Sequence, residues 1–361
     1  MTKREQEILS YIREDPFISQ ADIASRTGIT RSSVAVHITN LMKKGLLRGR
    51  AYVLSNDSYV VAIGTANVDI VGMPKEPLIR FDNNTGTVKT SIGGTCKNVA
   101  ENLLRLDIGV ELITAFSDDY YGNLFLDACK ETGIPMKSSL FIRNNKSATT
   151  LSVMEHNRET QFSISDMSIL DHVTPDFIMS RADVIRGAKA IVIDANLRED
   201  TIKYITSSFS APIFANPVSL SKATKLQNVL GKLYSIKASK QEAELLTGIE
   251  IKKYKDLKAA AMALLDQGVK QVFITLGAGG VFYANEQSRG RIPSIVDHVI
   301  NDNGAEDAFM AGIVYAYLNR FNIKHASQIG SAATKINTGS QDTVSAEMTN
   351  DMINDVVLEA F

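Results

Sequence analysis

The stretch Asn301-Asp302-Asn303-Gly304-Ala305-Glu306-Asp307-Ala308-Phe309-Met310-Ala311-Gly312 sets small residues and acids directly ahead of a long apolar run, Ala308 to Tyr317. A strand-like run, Ile292 to Ile300, precedes it. The junction predicts a helix N-terminus. Unpaired backbone N–H groups and the positive end of the helix dipole make such a place a natural anion site. Gly304, Ala305 and Glu306 would supply the amides, and Asp307 in that first turn could take a proton from a hydroxyl attacking a phosphate held there. An acid in the first turn also serves as a plain N-cap, and this stretch alone leaves both readings open.

The elements that must position this junction alternate. Strand-like apolar runs recur at Val60–Ile63, Ala190–Ile193, Pro212–Phe214, Leu233–Ile236 and Gln271–Thr275, with helical patterns such as Ala100–Leu106, Gln241–Leu246 and Leu257–Gln267 between them. That alternation predicts a mostly parallel sheet covered on both faces, with ligands beyond the carboxyl ends of its strands. Two further motifs fall at such ends. Asn67 and Asp69 stand two residues apart after the opening strand, so on extended backbone they face one side and could grip vicinal hydroxyls; a strand-end turn explains them equally well. Gly93-Gly94 precedes the helical run containing Asn98-Val99-Ala100, where backbone can approach a ligand closely.

Across its 361 residues the chain is near neutral, but the charge is uneven. Residues 1–55 carry nine Lys and Arg against five Asp and Glu, a net +4, while the remainder carries 30 against 35, a net −5. A small basic head on a larger acidic body suggests a nucleic-acid module joined to something else. No apolar run is long enough to span a bilayer, and the polar N-terminus does not read as a secretory leader. Cys96 and Cys129 show no metal or disulfide spacing, so a reducing cytoplasm is expected, and the remaining histidines, His156, His172, His298 and His325, show no ligand spacing.

In the head, residues 3–14 read as a helix that Pro16 ends, Ser19 caps a second helix over Gln20–Arg26, Gly28 supplies the turn, and Thr30 caps a third over Arg31–Lys44. Val34, Ile38, Leu41 and Met42 form the apolar stripe of that third helix. Helix, glycine turn, helix and then a wing of the basic Arg48-Gly49-Arg50 and the strand-like Ala51-Tyr52-Val53-Leu54 resemble a winged helix-turn-helix domain. The resemblance implies that Arg31, Ser32, Ser33, Val36 and His37 read bases of double-stranded DNA, and that Lys43, Lys44, Arg48 and Arg50 contact phosphates. A winged helix used for protein contacts is the other reading. Residues 1–56 and 57–361 are the expected domains, with a homodimer because a head of this size reads paired half-sites.

From residue 59 onward the motifs together resemble the ribokinase-like, or PfkB, carbohydrate kinases. Gly93-Gly94 with Asn98 resembles the sugar-binding signature, Thr275-Leu276-Gly277-Ala278-Gly279-Gly280 the nucleotide-side loop, and Gly304-Ala305-Glu306-Asp307 the signature Gly-Ala-Gly-Asp. The resemblance implies a three-layer α/β/α fold with a small β lid from residues near 70–92 and 138–165, ATP and magnesium, and a monovalent cation such as potassium. It makes Asp307 the base, Asn67, Asp69, Gly93, Gly94 and Asn98 substrate contacts, and Lys237, Ser239, Glu242, Thr275, Gly277 and Gly280 nucleotide contacts, with Glu242 acting on magnesium indirectly. Segments such as 163–167, 194–197, 215–219 and 339–344 look like the pseudouridine-kinase branch, in which Asp166 and Met167 would lie in or near the substrate pocket. Four departures fall on the phosphate side: Glu306 for the second glycine, Asn303 for threonine, Ser239 for the asparagine of Asn-x-x-Glu, and Asn216 for aspartate. An ATP-dependent nucleoside or sugar kinase is thus expected, with a catalytically impaired, ligand-sensing transcription regulator as the alternative.

Overall fold

A computed structural model of the chain describes residues 1–14, 18–48, 53–54, 58–157 and 160–361. The predictions that rest on Pro16, on Arg50 and on the polar linker at 55–57 lie outside the described residues.

In the head, α1 (Lys3–Glu14) packs with α2 (Gln20–Thr27) and α3 (Arg31–Lys43). Local chemistry sets the helix starts: the Asp22 N–H donates to Ser19 Oγ at 3.1 Å and the Ser33 N–H to Thr30 Oγ1 at 3.2 Å. Ile8, Ile12, Ile23, Val34, Ile38 and Leu41 close the core. Met42, expected in that stripe, is exposed instead, while Leu41 and Leu47 join the core. The wing is β1 (Leu47–Arg48) paired antiparallel with β2 (Val53–Leu54).

The body runs β3 (Tyr59–Ile63), β4 (Asn67–Pro74), β5 (Gly86–Gly93), α4 (Thr95–Arg105), β6 (Gly109–Ile113), β7 (Ala115–Ser117), α5 (Tyr120–Thr132), β8 (Leu140–Ile142), β9 (Thr149–Met154), β10 (Thr160–Asp166), α6 (Pro175–Ser180) and α7 (Ala182–Arg186). It continues through β11 (Ala190–Asp194), α8 (Glu199–Ser208), β12 (Ile213–Asn216), α9 (Leu220–Ala223), β13 (Ser235–Ser239), α10 (Lys240–Thr247), α11 (Tyr254–Asp266), β14 (Gln271–Thr275), β15 (Val281–Ala284), β16 (Arg289–Ile292), α12 (Ala305–Leu318), α13 (Ile323–Thr338) and α14 (Asn350–Ala360).

Eight strands form the main sheet in the order β16-β15-β14-β13-β12-β11-β3-β6, parallel from β14 to β6 and antiparallel at the β15–β16 edge. Alternate residues of β3 feed opposite cores. Val61 and Ile63 join one apolar cluster, while Val60 and Ala62 join the other with α4, α12 and α13. A strand buried on both faces reads as continuous apolar sequence, which is why these runs were legible. The run Ile292–Ile300 is the exception. Strand β16 ends at Ile292 and the chain continues as a loop. Pro293 has no N–H for a sheet ladder, and Ile295 and Val296, half-buried, line a cavity instead together with the exposed Val299.

A second sheet, β10-β9-β4-β5, is the lid. Residues 138–148, expected to contribute, lie outside it, and β8 pairs with β7. The register sorts the lid's two faces. Phe162 opposes Val153, Ile164 opposes Leu151, and Leu151 opposes Ile70, so one face is apolar. The other carries Asn67, Asp69, Thr150, Ser152 and Ser165.

Candidate active site

Two cavities open at the carboxyl edge of the main sheet, and α12 begins between them. Gly304 and Asp307 line a polar cavity of about 240 Å³ under the lid; Ala305 and Glu306 line a more apolar one of about 310 Å³ beside β14 and β15. One helical turn therefore serves both.

The turn depends on Gly304, whose φ of 79° is left-handed and whose Cβ, if present, would lie 2.1 Å from the Thr343 carbonyl oxygen. The Ala305 N–H donates back to the Asp302 carbonyl at 3.2 Å, which fixes the entry to α12. Asp307, 8 % exposed, accepts from Asn98 Nδ2 at 2.9 Å. Burial pushes its carboxyl up to about 7, against Asn98 and Lys237, with Asp194 and Glu306 adding to the rise. A group titrating there is matched to taking a proton near neutrality.

Asn98 comes from α4, which Gly94 starts at φ 106°; a side chain on Gly94 would collide with the Ala66 backbone at 2.5 Å. Lys97 is buried beside Asn98, pairs with Glu101 at 2.7 Å and donates to the Ile92 carbonyl at 3.1 Å. On the lid's inner face Asn67 Nδ2 donates to Asp69 Oδ1 at 2.6 Å, as the i, i+2 spacing predicts, and burial raises the Asp69 carboxyl. Gly93 is not on the cavity wall; it makes room for Asp69, whose Oδ2 lies 2.2 Å from where a Cβ would be.

On the other side, Lys237 is almost fully buried and its ammonium meets Glu306 Oε2 at 2.5 Å, while Thr275 Oγ1 donates to Glu306 Oε1 at 3.1 Å. Desolvation works to raise the Glu306 carboxyl, and Lys237 and Thr275 overcome it, holding it below its usual range. The Glu306 side chain is 52 % exposed, so water screens its end of the pair, whereas Lys237, 3 % exposed, would be left a buried cation without it. Gly277 and Gly280 line this cavity with Val281, Val296 and Phe309. Ser239 and Glu242 do not line it. They form a capping box at the start of α10, in which the Ser239 N–H donates to Glu242 Oε2 at 2.8 Å.

Met167 reaches the polar cavity, but Asp166 does not. Its register places it opposite Thr149 on the lid's apolar side, and its carboxylate accepts from the Ser168 hydroxyl at 2.7 Å and the Ser168 N–H at 3.1 Å. Sequence reasoning did not name Asn196, Val218 and Lys222 as site residues, yet all three line the cavity. Asn303 and Thr343 line it too.

In the head, Arg31, Ser32, Val36 and Lys43 are exposed on or beside α3, and Ser33 is half-buried against Thr30. His37 turns its Nδ1 inward, where it is buried with no hydrogen-bond partner among the described residues. Lys44 is not a free cation: its ammonium grips both oxygens of buried Glu5 at 2.7–2.8 Å. Arg48 ends β1.

The fold and the paired cavities define a ribokinase-like α/β kinase behind a winged helix-turn-helix head. Residues 57–350 match the pfkB family carbohydrate kinase model, and the chain belongs to that family. Residues 1–48 match the winged helix-turn-helix DNA-binding model. The chain is 32 % identical over 342 residues to the uncharacterized sugar kinase YeiI of Escherichia coli, covering 94 % of each chain. It is 31 % identical over 263 residues to the pseudouridine kinase of the same organism, covering 72 % of this chain and 84 % of that one. Among solved structures, the ribokinase of Arabidopsis thaliana complexed with ribose and ATP superposes with a TM-score of 0.74 at 16 % identity, over 83 % of this chain and 99 % of that one, which speaks to the fold.

Proposed function

We propose that the body transfers the γ-phosphoryl group of ATP to a hydroxyl of a nucleoside of the pseudouridine kind or of a sugar, and that the head binds double-stranded DNA. The observation that carries this is the shared turn: residues 304 and 307 face one cavity and 305 and 306 the other, so an acceptor and a phosphate chain would meet at one helix N-terminus. Bound ATP supplies the phosphoryl group. Val281, Val296 and Phe309 suit a flat base, and the glycines at 277 and 280 leave room for phosphates close to backbone. Asn67 and Asp69 orient the acceptor's hydroxyls. Asp307 accepts the proton as the hydroxyl oxygen bonds to phosphorus and the bond to ADP breaks. A magnesium ion would be carried mainly on the nucleotide phosphates, with Glu242 acting on it through water. Potassium remains part of the same reading. Phosphorylation of a panel including pseudouridine and ribose, followed by ADP release, tests it; no turnover with any member, and none lost in Asp307→Asn, would overturn it.

Glu306 favours a second reading. Its carboxylate already neutralises Lys237, a buried cation that lines neither cavity. A body impaired in this way would bind ligand and report it to the head as a transcription regulator. The head touches the body at Gly45, where a Cβ would lie 2.5 Å from Gly187 Cα, and Tyr59, which opens β3, donates from its hydroxyl to the nearby Val184 carbonyl at 2.5 Å. DNA affinity measured with and without pseudouridine tests the coupling; equal affinities remove it.

The lid's apolar face supports a homodimer. Phe162, Ile164 and Val88 are 57, 65 and 74 % exposed there, a patch whose burial against the same patch of a second copy is self-complementary. A cytoplasmic location suits an ATP-using, DNA-binding protein, and among the described residues no helix is long and apolar enough to cross a membrane.

A further inference from the structure

Lys97 is 4 % exposed and lines neither cavity, yet it stands next to Asn98 in the first turn of α4. An ammonium has three hydrogens, and three acceptors surround this one. Glu101 Oε2 lies at 2.7 Å, the Ile92 carbonyl at 3.1 Å and Asn98 Oδ1 at 3.5 Å. Glu101 is one turn further along α4 and Ile92 belongs to β5, so the ammonium is pinned between helix and lid beside the amide. Arg105 closes the far side, donating from Nη2 to Glu101 Oε1 at 2.9 Å.

The amide between Lys97 and Asp307 has two unlike ends. Its Nδ2 can donate to an ionised carboxylate, whereas its Oδ1 would repel one. Exchanging the two ends alters the shape of an asparagine very little, so its neighbours decide which end faces which. Nδ2 meets Asp307 at 2.9 Å, and Oδ1 faces the ammonium. A reversed amide would set donor against donor at Lys97 and oxygen against oxygen at Asp307. A buried ion pair such as Lys97 with Glu101 is often no more stabilising than apolar side chains of the same volume, so stability alone does not account for it.

We propose that Lys97 is a positioning residue: its ammonium fixes the Asn98 amide with Nδ2 toward Asp307 and so sets how readily that buried acid ionises to take a proton. The proposal rests on the kinase reading for the use made of that proton. Asp307 also feels Lys237 from β13, Asp194 from β11, Glu306 beside it on α12 and Cys96 from α4. Lys97 is faced by Asp69 of the lid and Cys129 of α5 besides its ion-pair partner. The charges that weigh most on Asp307 are thus Lys237, Asp194 and Glu306, and Lys97 reaches it through the amide.

Carbon-13 NMR of the full chain with labelled aspartate carboxyls reads this without requiring turnover, the Asp307 signal being the one lost in Asp307→Asn. Lys97→Met is combined with Glu101→Gln so that no carboxylate is stranded. In that double variant Asp307 titrates about one pH unit higher than in the wild type, while the melting temperature stays close to it. Lys97→Arg keeps a cation beside Oδ1 and titrates as the wild type does. Added to Asn98→Leu, the double change moves the titration no further, because no amide is left to orient. An unmoved titration in Lys97→Met/Glu101→Gln, beside a raised one in Asn98→Leu, overturns the proposal. So does a further rise on the Asn98→Leu background, which would make Lys97 a charge acting through space. If the titrations run as expected but no acceptor is phosphorylated, the kinase reading falls and the positioning of the amide stands.

Discussion

Asn98 Nδ2 donates to Asp307 Oδ2 at 2.9 Å, a bond between residues 209 apart in sequence that joins the first helix of the body to the helix bearing the proposed base. It is an amide stabilising the charged form of an acid that burial drives toward the neutral form. The activity profile follows. Asp307 must be ionised to accept a proton, so kcat/KM rises with pH through about 7. In Asn98→Leu that limb moves to higher pH, because the Asn98 hydrogen bond that opposes burial is gone. Asp307→Asn lowers kcat by about 10²–10⁴. A pH–rate series on the three proteins checks all of this, and an unmoved limb in Asn98→Leu would assign it to another group.

The same shift acts on stability. Asp307 holds its proton to about pH 7 when folded, but releases it in the ordinary carboxylate range when unfolded. The folded state therefore binds the extra proton between those values, and this contribution to stability is present at low pH and lost as pH rises toward neutrality. Denaturant midpoints of wild type and Asp307→Asn across that window should diverge, the wild type losing ground as pH rises while the asparagine variant does not.

Glu306→Gly restores a small residue where phosphate is expected and frees Lys237. The expected gain in kcat is about 10²–10³, the size of one anion-hole donor. In the absence of nucleotide the variant is also less stable, by about 1–3 kcal/mol, because Lys237, 3 % exposed, loses its partner. Added ATP restores the melting temperature. No gain beside robust wild-type turnover would mean that Glu306 is harmless to transfer.

Most of the site was legible because local rules sufficed. Asn67 and Asp69 share a face by strand periodicity, and Gly94, Asn98, Gly304 and Asp307 sit at helix starts whose glycines leave no room for a side chain. Asp166 stands next to the cavity rather than on its wall by one residue of strand register: Ser165 and Met167 line the cavity while the intervening acid faces the other way. Lys222 and Val218 escaped notice because their placement depends on a valine at φ 69°, which sequence preference assigns to glycine. The capping box of Ser239 and Glu242 was hidden differently, since the Ser-x-x-Glu pattern fits a helix start as well as a nucleotide contact.

The proposed homodimer places the lid's apolar face at its interface. Phe162→Glu with Ile164→Glu puts two charges into the centre of each copy's patch, and four meet across a symmetric interface. The pair converts a dimer to a monomer in analytical ultracentrifugation with the far-ultraviolet circular dichroism unchanged. A dimer that survives would place the interface elsewhere.

Lys43 and Lys44 are neighbours with different partners, and DNA binding separates them. Lys43 is exposed at the end of α3, whereas Lys44 holds Glu5, which is 2 % exposed. Removing an exposed phosphate contact lowers the slope of log affinity against log salt by about 0.9. Lys43→Ala is therefore expected to flatten the salt dependence on duplex DNA and leave the melting temperature unchanged. Lys44→Met strands a buried carboxylate, so it lowers the melting temperature while the salt slope stays at the wild-type value. Binding titrations at several salt concentrations, read beside thermal melts, distinguish the two; a slope change confined to Lys44→Met would mean that this lysine leaves Glu5 for phosphate when the head meets DNA.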